Sequence, residues 1–125
     1  MKTYRKYGKL SNGHYLAMFI TRRKKDNLNF SWIVAACIYE TKRMCNYWFR
    51  HQERALTKGE NTWGMEGLLK ALSWLKELEQ AIPKGDSIVI YWIDERRYRA
   101  FKYLKRYGYI EGIYLNRPCF ILEKQ

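Results

Sequence analysis

Ser87-Ile88-Val89-Ile90-Tyr91-Trp92-Ile93-Asp94 reads as a buried strand that ends on a helix cap, and the elements after it narrow the fold. The run after Ser87 is apolar, with the branched and aromatic side chains that suit a strand covered on both faces. Asp94 is placed to accept the first free N–H groups of a helix over 95–107. Tyr98, Phe101 and Leu104 form the inward stripe of that helix, which is otherwise strongly basic. Gly108 stands where a left-handed C-cap belongs. Two short strands over 109–114 and 119–124, joined by Leu115-Asn116-Arg117-Pro118, complete the pattern.

Upstream, Pro83-Lys84-Gly85-Asp86 ends a longer helix. That helix runs from a cap at Asn61 or Thr62 to about Ala81. Met65, Leu68, Leu69, Leu72, Leu75 and Leu78 recur at helical spacing and predict its buried face, with Lys70, Ser73, Glu77 and Gln80 opposite. The polar stretch 53–61 reads as a loop. Residues 44–49, extending to His51 at most, read as a strand after a turn at Thr41-Lys42-Arg43. Residues 30–39 are almost continuously apolar and read as a strand buried on both faces. Residues 14–21 read as another strand, and 22–27 as an exposed hairpin loop whose Asp26-Asn27 end suits a turn. Ser11-Asn12-Gly13 reads as a turn, and residues 1–12 as loosely held. The expected architecture is one α+β domain over 1–125, with a mixed sheet and the order β-β-β-α-β-α-β-β.

A chain of 125 residues has room for one hydrophobic core. No apolar run approaches the length of a membrane span, so no membrane partner is expected. The basic start has no apolar core or cleavage site behind it, so no signal peptide is read. Cys37, Cys45 and Cys119 match no zinc or redox spacing. His14 and His51 have no ligand-spaced partners, so no metal is expected. Reduced thiols in a cytoplasmic setting fit this usage. The net charge of +12 favours polyanionic partners: nucleic acid, a phosphorylated cofactor or an acidic protein. The small size and high charge would suit a phage or mobile-element protein.

The order of elements, with Ala100-Phe101, Gly108-Tyr109 and the closing Leu122-Glu123-Lys124, resembles the GCN5-related N-acetyltransferase (GNAT) family. The resemblance covers about residues 14–124 and is closest from Thr57 onward. It implies an acyl-CoA-dependent N-acyltransferase, or a degenerate relative, that moves an acetyl group from acetyl-CoA to an amine. Arg97 stands where the family usually has Asn. Leu104 stands where it usually has the Tyr that protonates the leaving thiolate. Tyr103 and Tyr107 are the nearest hydroxyls, and Tyr103 points about 100° away on a helix. The family's pyrophosphate loop has its nearest counterpart in Asn61-Thr62-Trp63-Gly64-Met65-Glu66.

The resemblance implies three site elements. A helix N-terminus with free N–H groups would hold the cofactor's pyrophosphate; its contacts would be Lys58, Thr62, Trp63, Gly64, Met65 and Gly67. An ordinary loop and helix start explains these glycines as well. A splayed strand pair, 44–51 with 87–93, would hold the pantetheine. A base, Glu53 or Asp94, would take the amine proton, although Asp94 also reads as a simple cap.

Two other readings compete. A ribonuclease H-like domain would use Glu66 and Asp94 to hold magnesium, but residues 14–21 carry no carboxylate. Glu66 also reads as a solvent-facing partner of Lys70. Alternatively, the chain is a non-catalytic basic module for nucleic acid or an acidic protein surface. Arg96, Arg99, Lys102 and Arg106 on the second helix, with Arg22, Arg23, Lys24 and Lys25 on the hairpin, would track phosphates. A solvated basic face is the plainer account of the same residues.

Overall fold

The computed structural model describes residues 2–51, 64–91, 98–99 and 102–125. Among these, six strands form one sheet: β1 (Lys2–Lys9), β2 (Tyr15–Lys24), β3 (Phe30–Tyr39), β4 (Ser87–Tyr91), β5 (Ile110–Tyr114) and β6 (Arg117–Glu123). Helix α1 (Lys42–Arg50) and helix α2 (Gly64–Ala81) separate β3 from β4. A 3₁₀ helix (Lys102–Tyr107) precedes β5. The sheet order is β1-β2-β3-β4-β6-β5. Among the described residues only β3 and β4 pair in parallel, and every other pairing is antiparallel. The α+β class with a mixed sheet is therefore as expected.

Residues 102–107, expected inside an α-helix, form a 3₁₀ helix, and the individual elements depart from expectation in four further places. First, Lys2–Lys9 is a strand in eight-residue register with β2, where loosely held chain was expected. Its side chains are almost all polar and exposed, which hides a strand from pattern reading yet suits a sheet edge. Second, residues 44–49 are helical, not a strand. Cys45, Trp48 and Phe49 are buried at i, i+3 and i+4 spacing, and the Thr41 Oγ1 accepts from the Met44 N–H at 3.2 Å as the N-cap. Third, Arg22, Arg23 and Lys24 belong to β2, and the hairpin loop covers 25–29. There the Asp26 Oδ1 accepts from the Leu28 and Asn29 N–H groups, each at 2.8 Å. Those two bonds hold the Asp26 carboxyl below its ordinary range. Fourth, the last hairpin turns on Leu115 and Asn116 alone. Both have positive φ, as a two-residue type I′ turn requires.

Alternation along the strands gives the sheet two faces. On the front, Leu68, Ala71, Leu72 and Leu75 of α2 pack on Leu16, Met18, Val34, Ala36, Ile38, Ile88 and Ile90. Met65 and Leu69, expected in this buried stripe, are exposed; Gly67 and Ala71 are buried instead. Leu104 extends the same front core, and Tyr98 stacks on Phe120 with centroids 5.8 Å apart. On the back, Cys45, Trp48 and Phe49 of α1 cover Ala17, Cys37 and Tyr39. Fully burying side chains of this size contributes about 1.5–3 kcal/mol each. Gly108 has φ +96 and closes the 3₁₀ helix, as its sequence position predicts.

At one end of the sheet the β2–β3 hairpin is tied to the start of β4. Asp86 is fully buried, and its carboxylate accepts from Asn29 Nδ2 (2.9 Å), the Phe30 N–H (3.0 Å) and Trp32 Nε1 (2.8 Å). Burial opposes its ionisation. The three hydrogen bonds and the charge of Lys25 outweigh that, so the carboxyl sits below its ordinary range.

Candidate functional site

The parallel pair β3–β4 is the one place where the described chain crosses over rather than doubling back. Among the described residues its pairing runs from Ser31↔Ser87 to Val34↔Ile90, while β3 continues to Tyr39. Open sheets offer their crevices at the carboxyl ends of strands where the connection direction changes. Three contacts bring the start of α2 to this end. A Cβ on Gly67 would lie 2.8 Å from Ile38 Cδ1, so the missing side chain lets the helix approach β3. Glu66 accepts from the Ser11 N–H (2.9 Å) and the Ser11 hydroxyl (2.8 Å). Ser11 lies just before β2, which itself begins opposite Tyr39. The first turn of a helix offers backbone N–H groups that can seat an anion, and the residues just before Gly64 lie outside the described chain.

Glu66 does not make the expected pair with Lys70. The Ser11 bonds engage it and hold its carboxyl below the ordinary carboxylate range. Lys70 lies over the Trp74 ring at 5.8 Å instead. Among the described residues, no group of three or more His, Cys, Asp or Glu side chains is arranged to hold a metal ion.

The expected cofactor contacts divide. Gly64 opens α2, Met65 is 64% exposed and Gly67 is buried against Ile38. Lys58, Thr62 and Trp63 lie outside the described residues, as do Glu53, Asp94 and Arg96. The expected strand partner 44–51 is helix α1, so the parallel partner of β4 is β3.

The candidate acids are not at this end of the sheet. Tyr103 and Tyr107 are exposed on the 3₁₀ helix. Tyr107 lies against Lys76 at 4.8 Å and helps line a small cavity of about 70 Å³ with Leu72, Leu75 and Tyr109. At a rise of 1.5 Å per residue, Lys76 is about 18 Å along the helix from Gly64. Leu104, where the family resemblance puts a hydroxyl, is 1% exposed in the front core. The structure instead brings Tyr91 to the carboxyl end of β4. Its hydroxyl donates to the Tyr114 carbonyl at 3.3 Å, and the Arg117 guanidinium lies over its ring at 4.7 Å. Burial raises the Tyr91 hydroxyl above its ordinary range, which keeps it protonated. Its place at the end of an apolar strand marked it as core, which is why sequence reasoning missed it.

The basic groups also separate. Lys25 is engaged: its Nζ donates to the Gly85 carbonyl (3.0 Å) and Ser87 Oγ (2.9 Å) and lies 3.5 Å from Glu123. Arg99, Lys102 and Arg106 are exposed, but the expected single stripe is broken. In a 3₁₀ turn, positions three apart align, so Arg106 is turned about 120° from Lys102. Lys105, which does align with Lys102, pairs with Glu111 at 2.7 Å. Arg22 lies over Phe30 at 4.2 Å and Trp32 at 5.7 Å.

Compared with known proteins, the chain matches no family model, no curated protein and no solved structure.

Proposed function

We propose that the chain is an acyl-CoA-dependent N-acyltransferase of GNAT type, or a degenerate relative that keeps the cofactor site. The observation that carries this reading is the crossover itself. Among the described residues a parallel strand pair sits in an otherwise antiparallel sheet, and the described part of the returning helix starts, at Gly64, near its carboxyl end. That is the arrangement of helix N-terminus and strand crevice that a phosphorylated acyl carrier requires.

In this reading the first turn of α2, from Gly64, binds the pyrophosphate through backbone N–H groups. The facing backbones of β3 and β4 take the pantetheine, the role expected of 44–51 from the sequence. Acetyl-CoA supplies the activated acetyl thioester. The amine nitrogen attacks the carbonyl carbon, the C–S bond breaks, and an amide and a thiol form. One proton leaves the amine, to Glu53 or to water, and one reaches the thiolate. Leu104 supplies none, and the Tyr91 hydroxyl is turned to the Tyr114 carbonyl on β5, so the thiolate proton comes from solvent. A chain without either transfer would bind the cofactor and turn over slowly, which is the degenerate form of the proposal.

Calorimetric titration with acetyl-CoA tests this, with thermal shift in matched salt as the control. Saturable micromolar binding that is lost in Gly64→Leu supports the reading. No binding at millimolar acetyl-CoA overturns it.

A further inference from the structure

Among the described residues, the front face of the sheet is not covered along its whole length. Helix α2 protects the middle of β2 and β3, down to Met18 and Val34. Beyond it, near the start of β1 and the end of β2, cross-strand register gathers a different surface. Lys2 lies opposite Arg22, which lies opposite Trp32. Tyr4 lies opposite Ile20, and Lys24 lies opposite Phe30. Ile20 and Trp32 touch the front core, so alternation puts Lys2, Tyr4, Arg22, Lys24, Phe30 and Trp32 on that same face.

These side chains form an ordered layer. Tyr4 and Trp32 have ring centroids 5.8 Å apart. The Arg22 guanidinium lies over both Phe30 and Trp32. Trp32 is fixed from below by its Nε1 bond to buried Asp86. A recess of about 310 Å³ opens here, lined by Lys2, Arg22, Arg23, Lys24 and Phe30, with no carboxylate among the described residues of its wall. Lys6, Lys25 and Lys105 each pair with a glutamate. No such pair engages Lys2, Arg22, Arg23 or Lys24 among the described residues.

We propose that this surface is a platform for single-stranded nucleic acid, separate from the acyl-CoA site. The chemistry is complementary on both counts. Unstacked bases present flat π faces to Tyr4, Trp32 and the stacked Arg22 guanidinium, while Lys2, Arg23 and Lys24 meet the phosphates. A duplex hides its base faces and would use only the cations. An acidic protein would also use the cations but leave the aromatic layer without a flat partner. The layer is already ordered by its own contacts, so binding loses little side-chain freedom.

The test is fluorescence anisotropy with a labelled 20-nucleotide oligo-dT across a salt series, with a hairpin duplex and poly-glutamate of matched charge as competitors. Three phosphate contacts predict a log–log salt slope of about −2. Tyr4→Ala, at an exposed position, is expected to weaken binding about five- to hundredfold. Lys2→Gln with Lys24→Gln, both exposed, should make the slope shallower by about 1.5. Lys102→Gln with Arg106→Gln should change affinity less than about threefold, as expected for charges outside the contact. A thermal melt of each variant confirms that it is folded. Absence of oligo-dT binding at 50 mM salt would overturn the proposal. So would equal losses from both pairs of substitutions, or poly-glutamate competing as well as oligo-dT.

Discussion

Asp86 gives the sharpest quantitative test of how this sheet is held. Replacing it with Ala leaves the Phe30 N–H and the Trp32 indole N–H without their acceptor. Asn29 Nδ2 retains the Lys84 carbonyl at 2.9 Å. An orphaned buried donor costs about 1–3 kcal/mol. Phe30 and Trp32 are only half-buried and water reaches part of this region, so the lower half of the range applies. Two donors then give a loss of about 2–4 kcal/mol. At about 3–5 °C per kcal/mol for a domain of this size, Tm should fall by about 6–20 °C. Urea denaturation followed by tryptophan fluorescence measures the loss, with Asp26→Ala in the exposed hairpin as a control expected to cost less. The pH dependence has a fixed sign. The folded carboxyl is held below its ordinary value of 3.8, so its contribution is fully present above that value. It is lost as pH falls through the folded pKa, so the gap between wild type and variant should narrow in acid. A loss under about 1 kcal/mol at pH 7, or a gap that widens in acid, would refute this account of the anchor.

Three further outcomes are expected. Gly67→Ala sets about 1 kcal/mol of helix propensity gained against a Cβ that would meet Ile38 Cδ1 at 2.8 Å, so its net cost in urea denaturation should stay below about 2 kcal/mol. Adding Ile38→Val, which removes that atom, should recover part of the loss. Cys37, Cys45 and Cys119 are all buried, and burial pushes the Cys45 thiol up to about 11. None should react with a thiol reagent at pH 8 in the native protein, and all should react in denaturant. Leu104→Tyr should lower stability by about 1–3 kcal/mol without creating an acid, because that position faces a filled core. Chemical denaturation and a coenzyme A release assay read the two halves of this prediction.

Much of the fold was legible because its core elements are strongly patterned. Residues 30–39, the long helix ending at Ala81, the strand starting at Ser87 and the Gly108 cap all follow from apolar runs, spacing and turn chemistry. The failures have physical causes. Strand β1 has no apolar face of its own and is held by pairing with β2, a tertiary effect. Residues 44–49 mix aromatic and polar groups too evenly to favour one period. The burial of Cys45, Trp48 and Phe49 on one side of α1 decided for helix. Of the candidate site, the helix that carries Gly64 was legible, while its expected cap at Asn61 or Thr62 lies outside the described residues. Tyr91 and the cross-strand layer of Tyr4, Arg22 and Trp32 were not, because register joins residues far apart in sequence.

The central proposal is that a phosphorylated acyl carrier binds at the carboxyl end of β3 and β4. Amide chemical-shift mapping of the isotope-labelled protein during acetyl-CoA titration tests it most directly. Binding at that end predicts saturable shifts at Gly64 to Gly67, along Val34 to Ile38 and at Ile90 and Tyr91. The absence of shifts at millimolar acetyl-CoA, or shifts confined to the Lys2, Arg22 and Phe30 surface, would contradict it.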